Sequence, residues 1–226
     1  MAHLKRYSMP GSWPVQKKKR VYVGSPLPGP HSKNNCITVG VILRDVLKHT
    51  ENVREIKKLV KQAKIFVDKK PRKEQNFPVG LMDVVEIPEV GEFFRMNISK
   101  NGLFLEKIKQ DETNRKICKI TNKTIISGGK CQLNLHDGRC IIVENSKTYK
   151  VGDSITISLP DQKILKHLKL DKNASALVVD GRNVGATGKI KEIKERKFMQ
   201  EKASVKLDIK GKNIETLKDY VMVVGD

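Results

Sequence analysis

Apolar positions along this chain fall first at helical spacing and then at strand spacing. Val39, Ile42, Leu43, Val46 and Leu47 recur three and four residues apart, with Arg44 and Lys48 off that stripe, which predicts a helix. After a break at His49-Thr50 a second helix starts near Asn52, whose side chain can cap it while Glu55 reaches back in a capping box. Val53, Ile56, Leu59, Val60 and Ala63 make its apolar side, leaving Arg54, Lys57, Lys58 and Lys61 toward water or ligand. Ile65-Phe66-Val67 then reads as a short strand, Asp68 to Lys73 as a cationic turn, and Leu81 to Ile87 as another strand. Two helices and a hairpin make a compact α+β unit with one basic edge.

After Pro88 the pattern becomes all-β. Short β-branched segments such as FRMNI, GLFLEKI, KICKI, KTIIS, CQLNL, CIIVE and SITISL are separated by turn signals at Lys100-Asn101-Gly102, Ser127-Gly128-Gly129, Asp137-Gly138 and Gly152-Asp153. That spacing suits a small barrel or sandwich, with Pro160 marking its exit. A last block of strands and turns starts near Ala176.

The segment before these elements differs from all of them. It carries Lys5, Arg6, Lys17, Lys18, Lys19, Arg20 and Lys33, and no acid precedes Asp45. Pro10, Pro14, Pro26, Pro28 and Pro30 forbid a continuous helix. The expectation is an extended cationic arm that orders only against a phosphate backbone, with a solubilising tail as the alternative. Trp13, the one tryptophan, is placed to stack on a base or to wedge between elements. The expected domains are a basic arm over 1–36, a helix–helix–hairpin domain over 37–90, a central β domain over 91–170 and a small barrel over 171–226.

Charge narrows the class of partner. In 226 residues, 45 Lys and Arg face 25 Asp and Glu, a net charge of +20, which calls for a polyanion. No apolar run approaches the ~20 residues that span a bilayer, and the N-terminus has no apolar signal core. A soluble intracellular protein, away from membranes, is expected. Cys36, Cys118, Cys131 and Cys140 include no C-x-x-C pair, so a metal site would require His136 to join Cys131 and Cys140. Four reduced, mostly buried thiols with no metal and no cofactor are expected instead.

The run Asn183 to Ile190, NVGATGKI, approaches a nucleotide-binding P-loop, but Asn183 stands where the first glycine belongs and Ile190 where a hydroxyl should bind Mg²⁺. GKIKEI continues at strand periodicity, whereas a P-loop opens a helix. The stretch resembles instead a KOW motif, through Leu177-Val178-Val179, the turn Asp180-Gly181-Arg182-Asn183, Gly185, Gly188, Lys189 and Ile190. That resemblance implies an SH3-like barrel whose loop packs on RNA, Gly185 allowing close approach and Arg182 and Lys189 meeting phosphates. Glycines that serve only tight turns are the alternative.

REIKKLVKQAKIFVDKK resembles the α-L RNA-binding motif through Ile56, Leu59, Val60, Gln62, Ile65, Val67 and Asp68, with Ala63 and Lys69 where that motif usually has glycine. HLKRYSMPGSWPVQ, Gly29-Pro30-His31 and FPVGLMDVVEI resemble the archaeal and eukaryotic small-subunit ribosomal protein four family, as does the order of arm, α-L motif, central β domain and KOW barrel. The resemblance covers essentially the whole chain. It implies an α+β multidomain structural protein of the cytoplasmic ribosome, a monomeric component without catalytic activity, with small-subunit ribosomal RNA and neighbouring ribosomal proteins as partners. Expected RNA contacts are Lys5, Arg6, Trp13, Lys17, Lys18, Lys19, Arg20, Lys33, Arg44, Lys48, Arg54, Lys57, Lys58, Arg72, Lys73, Arg182, Asn183, Gly185 and Lys189, through phosphates more than through base stacking, since only 5% of residues are aromatic.

Two other functions compete. A KOW-containing transcription or translation factor would bind RNA transiently. A pseudouridine synthase delivered by the α-L motif would need a catalytic Asp in a much larger domain than the central segment; His136-Asp137 is the sole adjacent acid–base pair, and it lies in the hairpin turn HDGR.

Overall fold

The computed structural model describes residues 3–126, 128–144, 147–196, 201–209 and 211–225. It divides into two compact units, Met1–Lys116 with Leu159–Asp161, and Ile117–Ser158 with Gln162–Asp226.

In the first unit the N-terminal segment is packed. Strand β1 (Leu4–Lys5) pairs antiparallel with β2 (Tyr22–Val23), and Leu4, Met9, Trp13 and Val23 share one apolar cluster with Ile37, Ile42, Ile56 and Ile65. The arm that should order only on phosphate is thereby corrected. Leu4, Met9, Trp13 and Val23 reach the core, each contributing about 1.5–3 kcal/mol by burial, whereas Tyr7, Val21, Tyr22 and Leu27 stay exposed. Its prolines stiffen the path around the domain. Ser12 O accepts the Leu103 N–H at 2.8 Å, and the bond needs Gly102, at φ +114°, because any Cβ there would run into the Ser12 carbonyl.

Strand β3 (Cys36–Thr38) pairs with β6 (Pro78–Gly80). The Thr38 hydroxyl accepts the Val41 N–H and starts helix α1 (Val39–Val41). The predicted helix continues as a turn of π-helix over Ile42–Val46, in which Leu47 N–H reaches back to Ile42 O at 2.8 Å. Helix α2 (Val53–Lys61) follows, and the capping box expected at its start is present. The Glu55 carboxylate accepts the N–H groups of Glu51 (3.0 Å) and Asn52 (3.3 Å), which also holds its pKa below the usual value. Ile56 and Val60 are buried.

Strands β4 (Phe66–Val67) and β5 (Lys70–Pro71) are joined by Asp68 and Lys69 at φ +52° and +63°, the backbone of a two-residue hairpin turn. With β7 (Val84–Ile87), β8 (Glu92–Ser99) and β9 (Gly102–Lys107) they form one sheet in the order β5-β4-β7-β8-β9. The β7–β8 ladder, Val84 opposite Arg95 through Ile87 opposite Glu92, crosses the domain boundary expected at residue 90. The chain after Pro88 therefore stays with the helices until Lys116.

The second unit holds two five-stranded sheets. One comprises β10 (Arg115–Ile125), which begins in the first unit, β11 (Cys131–Leu135), β12 (Cys140–Val143), β13 (Ser154–Ser158) and β14 (Ile164–Leu168), in the order β12-β11-β10-β13-β14. Its core is Cys118, Ile120, Cys131, Leu133, Leu135, Ile155 and Ile157. The other comprises β15 (Ser175–Val178), β16 (Thr187–Lys194), β17 (Ser204–Ile209), β18 (Lys212–Leu217) and β19 (Val221–Val223), in the order β18-β17-β16-β15-β19. Val178, Ile190, Val205, Leu207 and Val221 are fully enclosed in its core. Among the described residues, no helix is long and apolar enough to cross a membrane.

Candidate nucleic-acid interface

Helix α2 carries Arg54, Lys57, Lys58 and Lys61 at i, i+3, i+4 and i+7, all exposed. Like charges at that spacing weaken a helix by about 0.2–0.5 kcal/mol per pair, so the row is a feature the fold tolerates rather than uses. Lys5, Lys17, Lys18, Lys19, Arg20, Lys33, Lys48 and Lys73 are exposed as well. None of these side chains meets a hydrogen-bonding or ion-pair partner among the described residues. Elsewhere lysines do find acids, as in Lys64–Glu89 (2.8 Å), Lys191–Asp208 (2.9 Å) and Lys206–Glu192 (2.7 Å). In the N-terminal segment the cations stand without neighbouring acids along the chain, since no acid precedes Asp45.

Four expected contact residues are committed inside the first unit. Arg6 is 1% exposed, and its guanidinium donates to Gln16 O (2.7 Å) and to Asp45 (3.1 Å). Trp13 is 3% exposed, so it wedges between elements and offers no face to a base. Arg44 donates to Asp45 at 2.7 Å and is half-buried. Arg72 lies over the Phe77 ring, 4.0 Å from its centre. Burying a guanidinium requires such partners, and spacing along the chain did not reveal them.

In the second unit Arg182 and Lys189 flank the turn between β15 and β16, both exposed. Gly185 sits at φ +78° and donates its N–H to Val178 O at 2.8 Å, while Ala186 N–H closes on Asn183 O at 3.2 Å. The turn demands that glycine before any ligand does. Lys189 lies in strand β16, and no helix follows, so the nucleotide-binding loop has no helical N-terminus to build on.

A buried polar cluster escaped the expected residues. Lys116, 1% exposed, extends its ammonium to Asp83 and to Asp68 (2.9 Å). His31 Nε2 meets Asp83 at 3.0 Å, Gly80 N–H donates to Asp83 at 2.9 Å, and Val84 N–H donates to Asp68 at 3.0 Å. Burial alone would raise the Asp83 pKa, but the charges and hydrogen bonds of Lys116 and His31 outweigh it and hold the carboxyl ionised. Burial and the Asp83 charge push Asp68 up. Burial, with the Asp83 charge beside it, also pushes the Cys36 thiol up to about 12, so that sulfur is inert. One signal was available: Lys116, Cys118 and Ile120 share the inward face at period two. In the second unit Lys119 donates to Lys218 O (3.3 Å) and Asp219 O (2.7 Å), and burial brings its pKa down to about 8.

Possible metal ligands come together at Cys118, His136 and Asp137, within 4.8 Å of one another. Cys131 lies in the sheet core, and the exposed Cys140 faces Asn134 Oδ1 at 3.3 Å, so the trio imagined around His136 is replaced. The observed trio is already closed on itself. Arg139 Nε holds Asp137 at 3.1 Å, the Cys118 thiol donates to Asp137 at 3.6 Å, and His136 Nδ1 accepts the Lys119 N–H at 3.2 Å. These contacts lock the HDGR hairpin.

Comparison with known proteins places the whole chain. The RS4NT domain matches residues 2–34, and the model of ribosomal family S4e matches residues 90–164. Over 224 residues the chain is 41% identical to the small ribosomal subunit protein eS4 of Methanothermobacter thermautotrophicus, covering 99% of this chain and 92% of that protein. The chain belongs to the ribosomal S4e family. The eS4 protein of Methanocaldococcus jannaschii is 40% identical over 232 residues, covering 99% of this chain and 94% of its own. The crystal structure of 30S ribosomal protein S4e from Thermoplasma acidophilum superimposes with a TM-score of 0.74 at 32% identity, covering 86% of this chain and 97% of that one. In this S4e chain the matched N-terminal segment has two layers. Lys17, Lys18, Lys19 and Arg20 face out, whereas Arg6, Trp13 and His31 face in.

Proposed function

We propose that this S4e-family protein is a structural constituent of the small ribosomal subunit and holds ribosomal RNA by its backbone. The observation that carries the reading is the row Arg54, Lys57, Lys58 and Lys61, together with the cations of the N-terminal segment, exposed and without acid partners among the described residues. Each phosphate neutralised there releases counterions, so affinity falls steeply with salt. In this reading the two helices and the β4–β5 hairpin act as an α-L motif, the β15–β16 turn as a KOW loop with Arg182 and Lys189 at phosphates, and the inward Arg6, Trp13 and Lys116 as the rigid support. The protein works as a monomer among neighbouring ribosomal proteins in the cytoplasm and catalyses nothing.

The test is sedimentation of cell extract through a low-Mg²⁺ gradient after a high-salt wash, with the protein quantified by mass spectrometry. About one copy per small subunit is expected. A protein that washes off and runs with polymerase or free RNA is a transient factor instead.

A further inference from the structure

The first unit contains a cleft of about 630 Å³ bounded by the β1–β2 ribbon, the segment 24–28, both helices and the turn at 75–76. We propose that it receives one unpaired nucleotide of the bound RNA, a reading that rests on the RNA-binding function above.

The volume falls within the roughly 300–1,000 Å³ of small-ligand sites. Its walls suit a flat aromatic guest. Tyr22 is 54% exposed, with the His3 ring 5.4 Å from its own, and Leu27 (44%) and Val53 (41%) leave further apolar surface in solvent. Such side chains, each exposed at one cleft, are better explained by a partner than by packing. Gly40 lets helix α1 approach the turn at 75–76, donating its N–H to Gln75 O at 2.8 Å; a Cβ there would stand 3.2 Å from that oxygen. The side-chain amides of Gln75 and Asn76 line the cleft and make no hydrogen bond among the described residues, so donors and acceptors are both on offer to a base edge. Lys33 and the Asp45-paired Arg44 also line it, and among the described residues no Asp or Glu does. A cationic guest is thereby disfavoured, and a base attached to phosphate is matched. Stacked bases of a duplex cannot enter such a cleft, so the nucleotide must come from a bulge, loop or end.

The experiment compares two RNA hairpins with the same stem, one carrying a single bulged adenosine, each titrated with the full chain at fixed salt. The bulged hairpin is expected to bind about tenfold tighter, in the range of one base–aromatic stack. Tyr22→Ala should abolish most of that preference and Tyr22→Phe keep it. Val53→Asp sits at the first position of α2, where an acid suits the helix, so it should erase the preference without unfolding the protein. Equal binding of the two hairpins by the native chain, with steep salt dependence retained, would overturn the cleft proposal and leave the RNA-binding reading standing. Failure to bind either hairpin at low salt would overturn both.

Discussion

The Arg6 guanidinium lies 3.1 Å from the Asp45 carboxylate, tying the N-terminal segment to the π-helical turn thirty-nine residues later. Asp45 is the first acid in the chain, and it also takes Arg44 at 2.7 Å. A buried arginine whose partner is removed, or a carboxylate stripped of its arginine, costs about 3–5 kcal/mol. Arg6→Ala should lower unfolding stability by roughly 3 kcal/mol, the low end because Arg44 remains. Under conditions where the variant is folded, its RNA affinity should fall less than that of a chain with Lys17, Lys18 and Lys19 changed to Ala. Urea unfolding and titration with RNA read the two effects separately.

Ala63 and Lys69 hold left-handed backbone, at φ +57° and +63°, without being glycine. That conformation costs an L-residue roughly 1–2 kcal/mol, against a glycine entropy cost of about 0.5–1 kcal/mol. Ala63→Gly should therefore raise stability by up to about 1 kcal/mol. Lys69→Gly gains the same relief but abandons Glu86 (3.1 Å) and Thr113 (2.6 Å), leaving a buried carboxylate without its cation. Thermal melts should move in opposite directions for the two variants; a common direction would mean that backbone strain is not what distinguishes these turns.

Replacing Lys57 and Lys58 by Ala tests the outer face of α2. Each lost phosphate contact should flatten the plot of log affinity against log salt by about 0.7–0.9. Stability should hold or rise slightly, since like-charge pairs are relieved. An unchanged slope would place the RNA contacts on another face.

Acid should expose the Lys116 cluster. The folded pKa of Asp83 is depressed, so its contribution is present above the ordinary carboxylate value, about 3.9, and is lost as pH falls below that toward the depressed folded value. Asp83→Asn should be less stable than the native chain at pH 7, and its stability should decline less steeply below pH ~4. Parallel stability curves for the two proteins would show that Asp83 does not stay ionised through that range.

Lys119 offers the basic counterpart. Its pKa, brought down to about 8 by burial, makes stability rise with pH between about 8 and the free-lysine value of ~10.4. In Lys119→Met that rise should shrink, which urea unfolding at pH 7.5 and 9.5 would detect.

Local patterns carried much of the fold. The α2 cap, its apolar side and most β strands follow from spacing that each segment carries alone. The π turn at Ile42–Val46 did not, because its apolar stripe fits an α-helix equally well. The division at residue 90 failed for a related reason: Pro88 and Gly91 signal a turn, and a turn within a sheet looks the same in sequence as a turn between domains.

The candidate site divides along the same line. Net charge, the acid-free N-terminal segment and the row on α2 named a polyanion as partner, because exposed charge acts at long range and adds without regard to contacts. Which cations face out was decided by the tertiary structure alone. Arg6 finds Asp45 across 39 positions and Lys116 finds Asp68 across 48. Burial of a charge is settled by the partner that folding brings to it, and no local spacing encodes that meeting.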